Sequence, residues 1–157
     1  MKDNLPAPFL TAIVIFYQGQ REAPRTLQTL SAAYQSEVDE SEYEVWAIDN
    51  GSAKPLDPAM VKSFGSNFHY HYFPTDSISP VEAIIHFLDK VTTPYVMLMI
   101  DGAHMITPKV IKYTKDIAQF NQNPFIYTIP FHLGPYRQND SMTLGYNQTE
   151  EDKLLAS

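Results

Sequence analysis

Residues 11–16 read Thr-Ala-Ile-Val-Ile-Phe, an almost unbroken apolar run that stops abruptly at Tyr17-Gln18-Gly19-Gln20-Arg21. A second run of the same kind, Tyr95-Val96-Met97-Leu98-Met99-Ile100, ends as sharply at Asp101-Gly102-Ala103-His104. Continuous rather than alternating hydrophobicity suits a strand covered on both faces of a parallel sheet. Periodicity alone leaves a buried helix open. Residues 44–48 (EVWAI), 68–73 (FHYHYF) and 125–130 (FIYTIP) read as three more strands.

Helical patterns lie between these runs. Ala23, Leu27, Leu30 and Tyr34 fall at i, i+4, i+7 and i+11, and Val81, Ile84, Ile85 and Leu88 at i, i+3, i+4 and i+7. Val110, Ile111, Thr114, Ile117 and Ala118 repeat the theme, and residues 58–64 hold a shorter, weaker helix. Ser79-Pro80-Val81-Glu82 predicts a helix start with a serine cap, a proline in the first turn and a capping-box glutamate, and Thr107-Pro108 repeats cap and proline. The acidic stretch 37–44 reads as a solvated loop. After residue 133 periodicity fades until 150–156, which looks like an opening helix. Strands alternating with helices predict an α/β fold: a mostly parallel open sheet with helices on both faces.

Composition narrows the function. The chain has 157 residues, 44% hydrophobic and 18% charged, enough for a sizeable core. Eleven Lys and Arg against 18 Asp and Glu give a net charge of −7, which argues against nucleic acid as a partner. With no cysteine there is no disulfide scaffold, thiolate zinc site or cysteine nucleophile. No run approaches the ~18 apolar residues of a membrane helix, and the first ten residues lack the apolar stretch of a signal peptide, so the expected location is cytoplasmic. The dinucleotide G-x-G-x-x-G, the phosphate loop G-x-x-x-x-G-K-[ST] and the hydrolase elbow G-x-S-x-G are all missing.

Open α/β sheets bind ligands beyond the carboxyl ends of their strands, where strand order reverses. The residues to read are therefore Tyr17 after the first strand, Asp49-Asn50-Gly51-Ser52 after the second and Asp101 after the fourth. If the first and fourth strands are neighbours, Tyr17 and Asp101 flank the crevice and Asp49 stands one strand away. An aromatic ring beside two carboxylates makes a nucleotide pocket. Asp49-Asn50-Gly51-Ser52 is also a good turn by composition. His69 and His71 share a strand face without an identifiable third metal ligand, so a structural role is the simpler reading. Arg21 and Arg25 read as the solvated start of a helix, and Glu150-Glu151-Asp152 as favourable acidic charge at a helix N-terminus.

The stretches at 11–18 with Arg25-Thr26-Leu27 and Leu30, at 43–52 (YEV…IDNGS) and at 94–108 (PYVMLMID…ITP) resemble, in order and spacing, the nucleotide-sugar-binding half of family 2 glycosyltransferases. The resemblance covers about residues 11–130 and implies a GT-A, Rossmann-like fold. It implies a nucleoside-diphosphate sugar as donor and an acceptor hydroxyl. It also places Tyr17 near the nucleobase, Asp49 on the base ring nitrogen and Asp101 at the ribose or diphosphate. The family's D-x-D motif ends in an aspartate that binds Mg²⁺ or Mn²⁺, which neutralises the leaving diphosphate. Here that position is Ala103, followed by His104, an alternative metal ligand favouring Mn²⁺ or, when protonated, a source of positive charge. The motif Pro-x-Tyr-Asn is Ile15-Phe16-Tyr17-Gln18, and its Ala-Arg-Asn is Ala83-Ile84-Ile85.

Three segments follow: an extension at 1–10, the nucleotide-sugar-binding domain at 11–132, and the start of a truncated or missing acceptor-side region at 133–157. A binding domain that has lost its metal site and does not transfer is the competing expectation, and the catalytic base is unassigned.

Overall fold

A computed structural model describes residues 6–100, 104–121 and 123–156. The chain divides into two compact units, Met1–Pro124 and Phe125–Ser157.

In the first unit, β1 (Leu10–Phe16), β2 (Tyr43–Asn50), β3 (Phe68–Phe73) and β4 (Tyr95–Ile100) form a sheet of order β3-β2-β1-β4. Every ladder is parallel, with Val14 opposite Ala47 on one side and Met99 on the other. All seven residues of β1 are buried, as its unbroken hydrophobicity predicts for a central strand.

Helices cover both faces. Leu10, Ala12, Val14 and Phe16 point to one side, where they cluster with Ala23, Leu27 and Leu30 of α1 (Ala23–Leu30), Val61 of α3 (Pro58–Lys62) and Ile111 of α5 (Val110–Phe120). Ile13, Ile15 and Ile48 point to the other, against Ala83 and Phe87 of α4 (Val81–Leu88). Each such aliphatic side chain gains roughly 1.5–3 kcal/mol from leaving water, before chain entropy is counted. On the α4 face Trp46 meets Phe87 edge-on at 6.2 Å and His71 at 5.3 Å, so His71 is a packing residue whose imidazole burial pushes toward the neutral form. β4 pairs only with β1 among the described residues, and its Val96, Leu98 and Ile100 remain exposed.

Several predicted boundaries shift. The first helix breaks at Ser31, whose extended backbone separates α1 from a short α2 (Ala32–Gln35). Pro80 already has helical dihedrals and takes the cap position of α4. Ser79 is thereby left one residue too far out, its hydroxyl 3.4 Å from the Val81 amide, and the predicted capping box does not form. Thr107 does not cap α5 either: its carbonyl accepts from the Gln35 carboxamide, and the helix starts only after Lys109, at φ 69°. The predicted solvated loop at 37–44 instead contains a 3-10 turn (Glu40–Glu42) with its own capping box, and Lys109 and Lys115 pair with Glu37 and Glu42.

Tyr43 joins the acidic turn to the core. Its ring is buried and its hydroxyl donates to the Leu30 carbonyl at 2.7 Å, while burial pushes its pKa up to about 12. The unfolded chain ionises nearer ~10. The native state therefore holds this proton more tightly, and the associated stability is complete below pH 10 and lost as pH rises toward 12. Denaturation midpoints are expected to fall over that window in the wild type and less steeply in Tyr43→Phe. Parallel profiles would show that another group dominates.

In the second unit the structure corrects the fifth predicted strand. Residues 125–130 form no ladder, and Phe125, Tyr127 and Ile129 are exposed. Strand propensity makes a strand only where a partner supplies hydrogen bonds. The unit contains α6 (Gln138–Thr143), which has no apolar period to announce it, and α7 (Gln148–Ala156). Asn147 caps α7 through Oδ1, which accepts the Thr149 amide at 2.9 Å. The acidic residues Glu150 and Glu151 lie in its first turn, where the helix dipole favours negative charge.

Candidate functional site

The strand order puts the carboxyl ends of β1 and β4 side by side at the point where the order reverses, with β2 one strand away. Tyr17 leaves β1 there and is half exposed, an aromatic face free to meet a ligand. Asp101 and Ala103 fall outside the described residues. The chain resumes at His104, which is exposed.

Asp49 behaves differently from Tyr17. It is fully buried, and its two carboxylate oxygens accept from the Ser52 and Leu56 amides, each at 2.9 Å. The carboxylate thus shapes the loop between β2 and α3, and meeting a nucleobase requires that loop to move. Gly51 turns the chain at φ 71°, so close to the next segment that a Cβ would lie 2.1 Å from the Thr75 carbonyl oxygen. Asn50 is also buried; its Nδ2 donates to the Ser77 carbonyl at 3.2 Å. These contacts tie the loop after β3 to the end of β2.

Two buried side chains organise the site without having stood out in the sequence. Ser52 Oγ accepts from the Gln18 amide at 2.8 Å and so joins the β1 and β2 loops. Gln35 does the equivalent for the loop after β4. Its Nε2 donates to the carbonyls of Thr29 (2.7 Å) and Thr107 (3.0 Å), and its Oε1 accepts from the Ile111 amide at 3.1 Å. A second tie runs from the Ile106 amide to Thr29 Oγ1 at 3.2 Å. Glutamine at a helix end carries no pattern signal, because its value here depends on a segment 72 residues away.

Arg21, in the turn before α1, pairs with Glu22 at 2.8 Å. His69 lies 3.8 Å from Glu44, on the α4 side of the sheet with His71. Among the described residues no group of three or more His, Cys, Asp or Glu side chains converges to hold a metal ion.

Over residues 11–151 the sequence matches the family described as Glycosyl transferase family 2. The chain belongs to glycosyl transferase family 2. The crystal structure of S. aureus TarS is similar in fold, with a TM-score of 0.60 and 17% identity over 71% of this chain. The crystal structure of S. aureus TarS 1-349 gives 0.59 and 15% over 72%. This family 2 chain spans 19% and 33% of the lengths of those two structures. No curated protein matches it significantly. No helix among the described residues is long and apolar enough to cross a membrane.

Proposed function

We propose that this family 2 domain binds a nucleoside-diphosphate sugar beyond the carboxyl ends of β1, β2 and β4, and that the sugar passes to an acceptor hydroxyl. The observation that carries the reading is the reversal of strand order between β1 and β4, with the half-exposed Tyr17 at its rim. In this reading Tyr17 stacks on the base and Asp101 meets the ribose or the diphosphate. Asp49 holds the β2 loop against them, and reaches the base ring nitrogen only when that loop opens. Transfer is a displacement at the anomeric carbon: the acceptor oxygen forms the new bond as the bond to the diphosphate breaks, and a carboxylate takes the acceptor proton.

The Mg²⁺ or Mn²⁺ of the family is tested by the donors at hand. Ala103 offers a methyl group in place of a carboxylate, and His104 brings one imidazole. No described cluster completes a coordination set. Ala103 removes one carboxylate of the family's motif and leaves Asp101 and His104 as the donors there, a set that makes a divalent cation doubtful, and no step here runs through one. Ala103 also favours a second reading, in which the domain binds the nucleotide sugar without transferring it.

Calorimetric titration with UDP, GDP and their sugars, with Mn²⁺ or with a chelator, tests both readings. Micromolar binding that survives the chelator is expected, as is at least a tenfold loss in Asp101→Ala, or about 1.4 kcal/mol. Absence of binding to every ligand would sink both readings, and an unchanged affinity in Asp101→Ala would place the pocket elsewhere. Release of sugar from the bound donor marks an enzyme; tight binding without turnover marks the binding domain.

A further inference from the structure

Gln18 is the residue on which the β1 loop turns, and its backbone stands at φ 54°, in the left-handed region that a glutamine rarely occupies. The amide of Gln18 is held by Ser52 Oγ at 2.8 Å. Ser52 is itself buried, and its amide is fastened to the Asp49 carboxylate at 2.9 Å. The relay thus runs from a buried carboxylate through a buried serine to a strained corner, and Tyr17 is the residue immediately before that corner.

We infer that Ser52 is a positioning residue for nucleotide binding, acting by holding Gln18 in its left-handed conformation so that Tyr17 faces the ligand. The inference rests on the nucleotide reading proposed above for its ligand, while its structural half stands on the free protein. A left-handed non-glycine residue carries a conformational penalty, and the persistence of such a residue implies that its surroundings over-determine it. One neutral hydrogen bond contributes an amount comparable to that penalty. Without the hydroxyl the two effects no longer balance, and Gln18 relaxes toward negative φ. Release of the Gln18 amide also frees the peptide plane between Tyr17 and Gln18, and with it the setting of Tyr17 on the β1 loop. Asparagine tolerates the left-handed region far better than glutamine, so asparagine at position 18 makes the corner less dependent on Ser52.

The test uses the full chain as wild type, Ser52→Ala, Gln18→Val and Ser52→Ala/Gln18→Asn. Backbone couplings and sequential NOEs at residue 18 are measured by NMR without ligand, and UDP and GDP affinities by calorimetry. Ser52→Ala is expected to move residue 18 to negative φ and to weaken nucleotide binding about tenfold. Adding Gln18→Asn should return positive φ and recover at least threefold of that loss. Gln18→Val keeps the serine but cannot hold the turn, so it should match the loss in Ser52→Ala and keeps the test decisive if Ser52→Ala fails to fold. Unchanged φ in Ser52→Ala, unchanged affinity in either single variant, or no recovery in the double variant would overturn the inference. A wild type that binds neither nucleotide defeats the proposed function instead, and the NMR arm then still decides whether Ser52 holds the corner.

Discussion

Asp49→Ala is expected to lose about 3 kcal/mol of stability, because it removes two hydrogen bonds to a buried carboxylate at once. Bonds to a charged group contribute roughly 1.5–3 kcal/mol each, and the alanine leaves two amides to find new partners. Those amides belong to Ser52 and Leu56, at the two ends of the β2 loop. Asp49→Asn should lose about half as much, since the carboxamide offers one oxygen where two acceptors are needed. Guanidinium denaturation followed by the emission of Trp46, the sole tryptophan, reads the sheet unit directly. A loss under about 1 kcal/mol in Asp49→Ala would show that the loop is held by other contacts. If instead stability were kept and nucleotide affinity lost, Asp49 would be a ligand contact and not a scaffold.

Gly51→Ala ranks beside it. The new methyl would sit 2.1 Å from the Thr75 carbonyl oxygen, and the backbone there has φ 71°. The dihedral alone costs about 1–2 kcal/mol in a non-glycine residue, and displacing a neighbouring backbone adds a term of the same size or larger. The expected loss is about 3 kcal/mol by the same denaturation measurement. The segment that must yield is the one Asn50 holds through the Ser77 carbonyl, so the change also loosens the loop after β3. An alanine variant as stable as wild type would mean that this loop has room to withdraw.

These two residues show where the sequence spoke and where it was silent. The continuous apolar runs gave away β1 and β4 as strands, but only β1 is buried on both faces; β4, expected to be covered likewise, leaves Val96, Leu98 and Ile100 exposed on one side. The presence of helix α4 was legible from its 3–4 spacing, but the residues it buries are Ala83 and Phe87, while Val81, Ile85 and Leu88 of the spaced set stay exposed. The run at 125–130 misled for the opposite reason: its side chains suit a strand, but the ladder partner that makes one is not in the local sequence. Tyr17, Asp49 and Asp101 could be nominated because they follow the apolar runs read as strands, although β2 extends through Asp49 to Asn50, and the adjacency of β1 and β4 on which the crevice was conditional is the observed one. What Asp49 does was not legible, since a carboxylate that binds a ligand and one that binds its own loop have the same letter. Ser52 stood in the quoted motif with no role, and Gln35 stood in no motif at all. Their work is to bridge loops far apart in the chain.

The outer strand of the sheet bears on how this protein is handled. Tyr95–Ile100 carries no charge, proline or glycine among its six residues, and only one of its sides is engaged in a described ladder. Natural sheets commonly blunt such borders with lysine, proline or a bulge, and none of these interrupts β4. An uncharged border of this length, unpaired among the described residues, is a template on which another extended chain can add, and the same six letters have the make-up of a dry zipper segment. Self-association through this border is the expected limit on the concentrations at which the titrations above can be run, and light scattering during them reads it. A lysine in place of the outward-facing Leu98 would relieve that limit on the opposite side of the sheet from α1 and Ile111.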